Sequence, residues 1–155
     1  MAKEIEHKYL TVSNEYRLLA TSSHIICQGY LSLDKERTVR VRTIDNRGFV
    51  TIKGKNKGAL RQEFEYEIPV ADAKDMLETL CLKPVIEKCR YIVVYEGEKW
   101  EVDEFKGALS GLVLAEIELP DVNHKYSIPK FVGKNVTGDP RYYNSVLSTA
   151  TSLPE

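Results

Sequence analysis

Carboxylates recur at alternate positions near both ends of the chain: Glu4 and Glu6, with Lys8 one step further, in EIEHKYL, and Glu116 and Glu118 in VLAEIEL. Successive side chains of an extended strand point to opposite faces. This spacing therefore gathers each charged set on one face and leaves Ile5, Tyr9, Ala115, Ile117 and Leu119 on the other. Basic residues follow the same rule. Arg40 and Arg42 share a parity in RTVRVRT, opposite Val39 and Val41; Lys88 and Arg90 share one in IEKCRYI, opposite Cys89 and Tyr91; Lys53 ends FVTIK. Glu63 and Glu65 alternate with Phe64 and Tyr66, while Asp103 lies in the less regular run EVDEF. One such pair alone reads as a solvated strand face. The same parity in strand after strand, with both signs of charge, points to a barrel whose charged side is the interior.

A charged interior calls for a ligand, because an unpaired buried ion costs on the order of several kcal/mol and even paired ones seldom stabilise more than apolar replacements. Basic side chains supply donors for a polyanion, and the carboxylates would repel that polyanion unless divalent cations accompany it. Metal plus phosphate satisfies both halves, and hard oxygen donors favour Mg²⁺ or Mn²⁺. His7, His24 and His124 share no ligand spacing and read as surface or structural residues. Trp100 and most of the tyrosines read as packing on the outer face of the barrel or under a helix.

These side chains need strands to hold them. Strand-like runs occupy residues 4–10, 25–33, 37–44, 48–53, 61–68, 85–96, 99–106 and 113–119, separated by turn signals at Asn46-Arg47-Gly48, Gly54 to Gly58, Gly97-Glu98 and Gly107 to Gly111. Helical pattern is confined to 70–80, where Met76, Leu77 and Leu80 would share a face, and to the residues after Asp139-Pro140, a cap followed by proline. The class is mainly β (α+β): an eight-stranded antiparallel barrel forming a charged tunnel, with few helices and one at the C-terminus, in a single domain over residues 1–155. MAKEIEHK has no apolar leader, and no stretch has membrane-spanning length, so the expected location is the cytoplasm, away from membranes. Cys27, Cys81 and Cys89 lack metal-ligand spacing and read as reduced thiols. A formal net charge of -1 does not suit a partner such as long nucleic acid.

The motifs resemble, in order, those of the CYTH superfamily, also called triphosphate tunnel metalloenzymes. EIEHK matches its ExExK signature, followed by QGYL (28–31), VRVR (39–42), TIK (51–53), RQEFEYE (61–67), EKCRY (87–91), EVDEF (101–105) and EIEL (116–119). With VTGDPRYYN (136–144), the series is similar to the small bacterial tripolyphosphatase branch. That resemblance implies metal-dependent hydrolysis of inorganic triphosphate, with two ions in the substrate complex. Glu4, Glu6, Glu116 and Glu118 would hold metal, and Asp103 with Glu63 or Glu65 would help at a second site. Lys8, Arg40, Arg42, Lys53, Lys88 and Arg90 would grip phosphates, Lys53 or Lys88 would orient the attacking water, and Arg141 would close one mouth of the tunnel. The family also includes class IV adenylate cyclases, thiamine triphosphatases and messenger-RNA-capping triphosphatases, so a nucleotide or thiamine triphosphatase is an alternative, and a non-catalytic polyphosphate-binding module would use the same tunnel. Only Met1 to Lys3 precede Glu4, which favours a small substrate over the cyclase branch. The oligomeric state, a homodimer included, stays open.

Overall fold

The computed structural model describes residues 3–155. Eight antiparallel strands form the wall: β1 (Lys3–Thr11), β2 (Ser22–Ser32), β3 (Thr38–Ile44), β4 (Arg47–Lys53), β5 (Leu60–Ile68), β6 (Ile86–Tyr95), β7 (Glu98–Phe105) and β8 (Val113–Glu118). Neighbours run β5-β4-β3-β2-β6-β7-β8-β1. The two halves of β1 then close the ring: Lys3, Glu4 and Ile5 pair with Gln62, Arg61 and Leu60 of β5, while Glu6 to Leu10 pair with β8. All the expected strands are present. A further strand, β9 (Val132–Asn135), lies outside the ring against Tyr9 and Thr11 of β1. Its four residues, VGKN, are too short to show an alternating pattern.

The helices are α1 (Tyr16–Leu19), α2 (Val70–Thr79) and α3 (Asn144–Leu147). Helix α2 covers the expected segment, but its buried stripe is Ala73 and Leu77, packed on Val41 and Cys81. Leu80, at the C-cap, is 65% exposed and does not share that face. Gly48 is not a turn residue either. The chain reverses at Asp45-Asn46, with Asp45 at φ 52°, and Gly48 lies inside β4 beneath α2. A Cβ there would stand 2.8 Å from the Ala73 Cβ, so glycine lets the helix dock close to the sheet. At the other end, Asp139 does act as a cap, its Oδ1 accepting from Arg141 N at 3.0 Å, but the turn it starts is a single 3₁₀ turn, Pro140–Tyr142. The expected C-terminal helix is thus only the four residues of α3, because Tyr142 and Leu147 are both drawn into the end of the barrel.

The apolar residues pack mainly outside the ring. Trp100, Val102, Ala115 and Ile117, all at most 1% exposed, form the outward faces of β7 and β8 and are covered by Tyr16, Phe131 and Leu119. Tyr126, from the connection after β8, stacks edge-on against Trp100 at 5.8 Å and bonds Tyr9 Oη at 2.6 Å and His7 Nδ1 at 2.5 Å. Each fully buried side chain of this size contributes about 1.5–3 kcal/mol, which offsets the cost of the charged interior. One end of the barrel is apolar as well. Inward-facing Ile86, Phe105 and Leu114 meet Leu109, Val136, Tyr142 and Leu147, so the C-terminal segment plugs that end. Among the described residues, no helix is long and apolar enough to cross a membrane.

Candidate active site

The strand register turns the charged parity into one inner surface. Lys8 lies opposite Glu116 and Glu6 opposite Glu118; Glu116 in turn lies opposite Glu101 of β7. Further round the wall Arg90 pairs with Asp103, Gln28 with Arg42, Tyr30 with Arg40, and Lys53 with Glu63. The part of this inner surface nearer the open end encloses a chamber of about 260 Å³. Carboxylates from β1 (Glu4, Glu6), β5 (Glu63, Glu65), β7 (Glu101) and β8 (Glu116, Glu118) face Arg40, Arg42, Lys53, Arg90 and Lys99, with Asn144 of α3 the remaining lining residue. Lys99 and Glu118 are exposed and mark the mouth. The lining has more acids than bases, so a polyanion bound here needs cations with it.

Three patterns of contact organise the charges. On the first side, Lys53 Nζ donates to Glu4 Oε1 at 2.9 Å and lies 3.4 Å from Glu63. Burial favours the neutral form of Glu4, but the Lys53 ammonium and hydrogen bonds from Lys53 and Glu63 outweigh it and keep Glu4 ionised. Burial and the Glu4 charge raise the Glu63 pKa to about 7. In the Glu6–Glu116 pair, burial and the charges of Glu116 and Glu4 push Glu6 well up, while Glu116 is held low and ionised. Burial opposes that ionisation, and chiefly Lys8 overcomes it.

The second pattern belongs to the guanidiniums. Arg42 Nη2 donates to Glu65 Oε2 at 3.0 Å, and Arg40 Nη2 lies 3.7 Å from the same oxygen. The Nε atoms of both arginines are buried without a hydrogen-bond partner. Burial, and the nearby charges of Arg40 and Arg90, pull the Arg42 pKa down to about 10. Crowded guanidiniums with donors to spare are what an anion would relieve. The third is a closed triad: Asp103 accepts from Arg90 at 2.7 and 2.9 Å and stands 2.7 Å from Lys88 Nζ. Asp103 and Lys88 are both at most 1% exposed. Burial brings the Lys88 ammonium down to about 8, against the pull of Asp103.

The residues expected at the site thus separate. Glu4, Glu6, Glu63, Glu65, Glu116, Glu118, Arg40, Arg42, Lys53 and Arg90 line the chamber. Lys88 and Asp103 lie behind Arg90 and do not, and Lys8 turns toward the plug, donating to the Tyr142 carbonyl at 2.9 Å. Arg141 does not close a mouth: it is held by Asp139 at 2.7 Å, contacts the Glu155 carbonyl, and is half exposed outside the barrel. The Asp139 carboxylate, two residues before it, has already taken its charge. Sequence reasoning missed Glu101, Lys99, Tyr30, Gln28 and Asn144 as inward residues. The parity of Asp103 would have found Glu101; Asn144 has no strand parity to reveal it.

Hard oxygen donors on β1 and β8 suit Mg²⁺ or Mn²⁺, which take a few carboxylates and complete their shells with water and phosphate oxygen. Among the described residues, no three ligand groups stand close enough to grip an ion in their present poses. Lys53 spans Glu4 and Glu63. The Glu6–Glu116 pair fits the chemistry, since a divalent cation beside both carboxylates would relieve the repulsion that pushes Glu6 up. His7, His24 and His124 are engaged elsewhere, with Tyr126, Asp45 and Glu98.

The fold and motifs have known counterparts. The family model described as CYTH domain matches residues 2–143. An inorganic triphosphatase of Acetivibrio thermocellus is 52% identical over 147 residues, covering 95% of this chain and 94% of that one. An inorganic triphosphatase of Nitrosomonas europaea is 34% identical, with 97% of this chain and 99% of that one aligned. A solved inorganic triphosphatase structure superposes with a TM-score of 0.65 at 30% identity, covering 100% of this chain and 99% of that one. A putative adenylyl cyclase from Hippeastrum, at 15% identity, shares the fold with a TM-score of 0.60 over 76% of this chain and 80% of its own. Likeness of this extent in both sequence and architecture is that of common descent, and the chain belongs to the CYTH domain family.

Proposed function

We propose that this chain is a divalent-metal-dependent hydrolase that cleaves inorganic tripolyphosphate to pyrophosphate and orthophosphate inside the barrel. The observation that carries the reading is a chamber in which Arg40 and Arg42 keep unpartnered buried donors opposite the carboxylates of β1 and β8. Two relatives described as inorganic triphosphatases, aligned over nearly the whole chain, support it. Arg40, Arg42 and Arg90 would hold the phosphate oxygens. Glu4, Glu6, Glu116 and Glu118 would hold Mg²⁺ or Mn²⁺, with Glu63 or Glu65 helping to hold a second ion. When bound, such ions neutralise phosphate charge and lower the pKa of water. Hydrolysis of a phosphoanhydride asks little else of a protein than charge stabilisation and an aligned water.

The placement of the lysines divides their roles. Lys53 borders the chamber and would steady the water or the charge on the transferring phosphoryl group. Lys88, buried behind Arg90, would act through it by fixing Asp103. Asp103 would therefore serve as an anchor for the bases rather than as a metal ligand. Against the adenylate cyclase and thiamine triphosphatase readings, the described lining of the chamber consists of charged side chains and Asn144, with no aromatic face for a base or thiazole to stack on. A polyphosphate-binding module would not need carboxylates on both β1 and β8. A chamber of this size has no room for long nucleic acid, and free thiols at Cys27, Cys81 and Cys89 suit a cytoplasmic location.

The test is phosphate release from tripolyphosphate, pyrophosphate, ATP and thiamine triphosphate with Mg²⁺ or Mn²⁺, alongside measurement of cyclic AMP. Tripolyphosphate should be cleaved at least about tenfold faster than ATP, pyrophosphate should be poor, and EDTA should stop the reaction. Rapid cyclic AMP formation with little phosphate from tripolyphosphate would replace this reading with the cyclase one.

A further inference from the structure

A second and much smaller space adjoins the chamber. Between the β4–β5 connection and the segment from Val136 to Asn144 runs a neck of about 40 Å³. Glu4, Glu6, Lys53 and Asn144 border both spaces and form the boundary they share. The neck has room for about one or two water molecules and not for a phosphoryl group. Its width is set by fixed contacts. Val136 N donates to Lys8 O at 2.8 Å, Lys8 N to Thr137 Oγ1 at 2.9 Å, and Lys8 Nζ to Tyr142 O at 2.9 Å, which pins the outer segment to β1. At the junction, Asn144 Oδ1 is buried with no hydrogen-bond partner, an acceptor left for a group the protein does not supply.

A triphosphate bound from the charged mouth would occupy the chamber on that side, and each turnover consumes a water. We propose that the neck is the port for this water, with Asn144 as a positioning residue at its inner end. The proposal deepens the hydrolase reading and rests on it. In the step, the water oxygen bonds to the terminal phosphorus as the bridging P–O bond breaks, its electron pair leaving on pyrophosphate. In-line geometry then directs pyrophosphate toward the mouth. One water proton stays on orthophosphate, and the other leaves to solvent along the neck.

Steady-state kinetics with tripolyphosphate and Mg²⁺ test this on the full chain. Ala59, on the neck wall and outside the chamber, is replaced in Ala59→Leu to narrow the passage. Asn144→Leu removes the acceptor at similar size, and Asn144→Asp restores an acceptor oxygen. Ala59→Leu and Asn144→Leu should each lower kcat about tenfold with KM within about twofold, and Asn144→Asp should recover most of kcat. Thermal unfolding of each variant controls for folding. Raised KM at constant kcat would make the neck a phosphate subsite and overturn the port; so would unchanged kinetics in folded Ala59→Leu and Asn144→Leu. A wild-type protein that releases no phosphate from tripolyphosphate would remove the hydrolase reading itself, whereas an active wild type with unmoved variants removes the port alone.

Discussion

Glu116→Gln should lower metal-dependent tripolyphosphate hydrolysis by about 10²–10³-fold while leaving the fold intact. Glu116 is 6% exposed, lies on β8 opposite Lys8 and Glu101, and is held ionised chiefly by Lys8. Glutamine keeps the volume and an oxygen but removes the anion that a divalent cation would bind. Stability should barely move: the change gives up attraction to Lys8 and also relieves repulsion from Asp103. A melting temperature within about 4 °C of wild type is expected. Activity should recover in part at high Mn²⁺ if the lost contact is to metal. Unchanged turnover at limiting metal would remove Glu116 from the site.

Lys53→Met should lower kcat by about a hundredfold with a much smaller effect on KM. Lys53 is the cation shared between Glu4 and Glu63, and it stands where chamber and neck meet. Arginines that hold phosphate in ground and transition states alike act mainly on KM, whereas an ammonium at the attacking end acts on the barrier. Methionine keeps the apolar stem, so the expected loss belongs to the charge. If Lys53→Met raised KM and left kcat alone, Lys53 would be a further phosphate clamp.

Strand parity revealed the inner surface because a charged interior inverts the usual pattern in every strand at once. Arg40 and Arg42 against Val39 and Val41, or Glu116 and Glu118 against Ala115 and Ile117, need only a period of two. Where strand parity is blurred, the reading weakened. In β7, Glu104 faces outward to bond Tyr16 Oη and Arg17 Nε, both at 2.5 Å, while Glu101 faces inward, so acids lie on both sides. Parity also fixes a face and not a depth. Lys88 shares the inner face with Arg90 but lies behind it in the triad with Asp103. The plug, β9 and α1 are short elements set by tertiary contact, with too few residues for periodicity to show. Gly48 looked like a turn residue because sequence does not show a helix packing above it.

The central claim is that metal and triphosphate meet inside the barrel, between β1 and β8. Anomalous diffraction at the manganese edge, from crystals grown with Mn²⁺ and the non-hydrolysable imidotriphosphate, tests it most directly. Manganese peaks are expected within the chamber, bounded by Glu4, Glu6, Glu116 and Glu118, with the triphosphate chain against Arg40, Arg42 and Arg90. Manganese found only on the outer surface, or a triphosphate bound in the chamber with no metal beside those carboxylates, would contradict it.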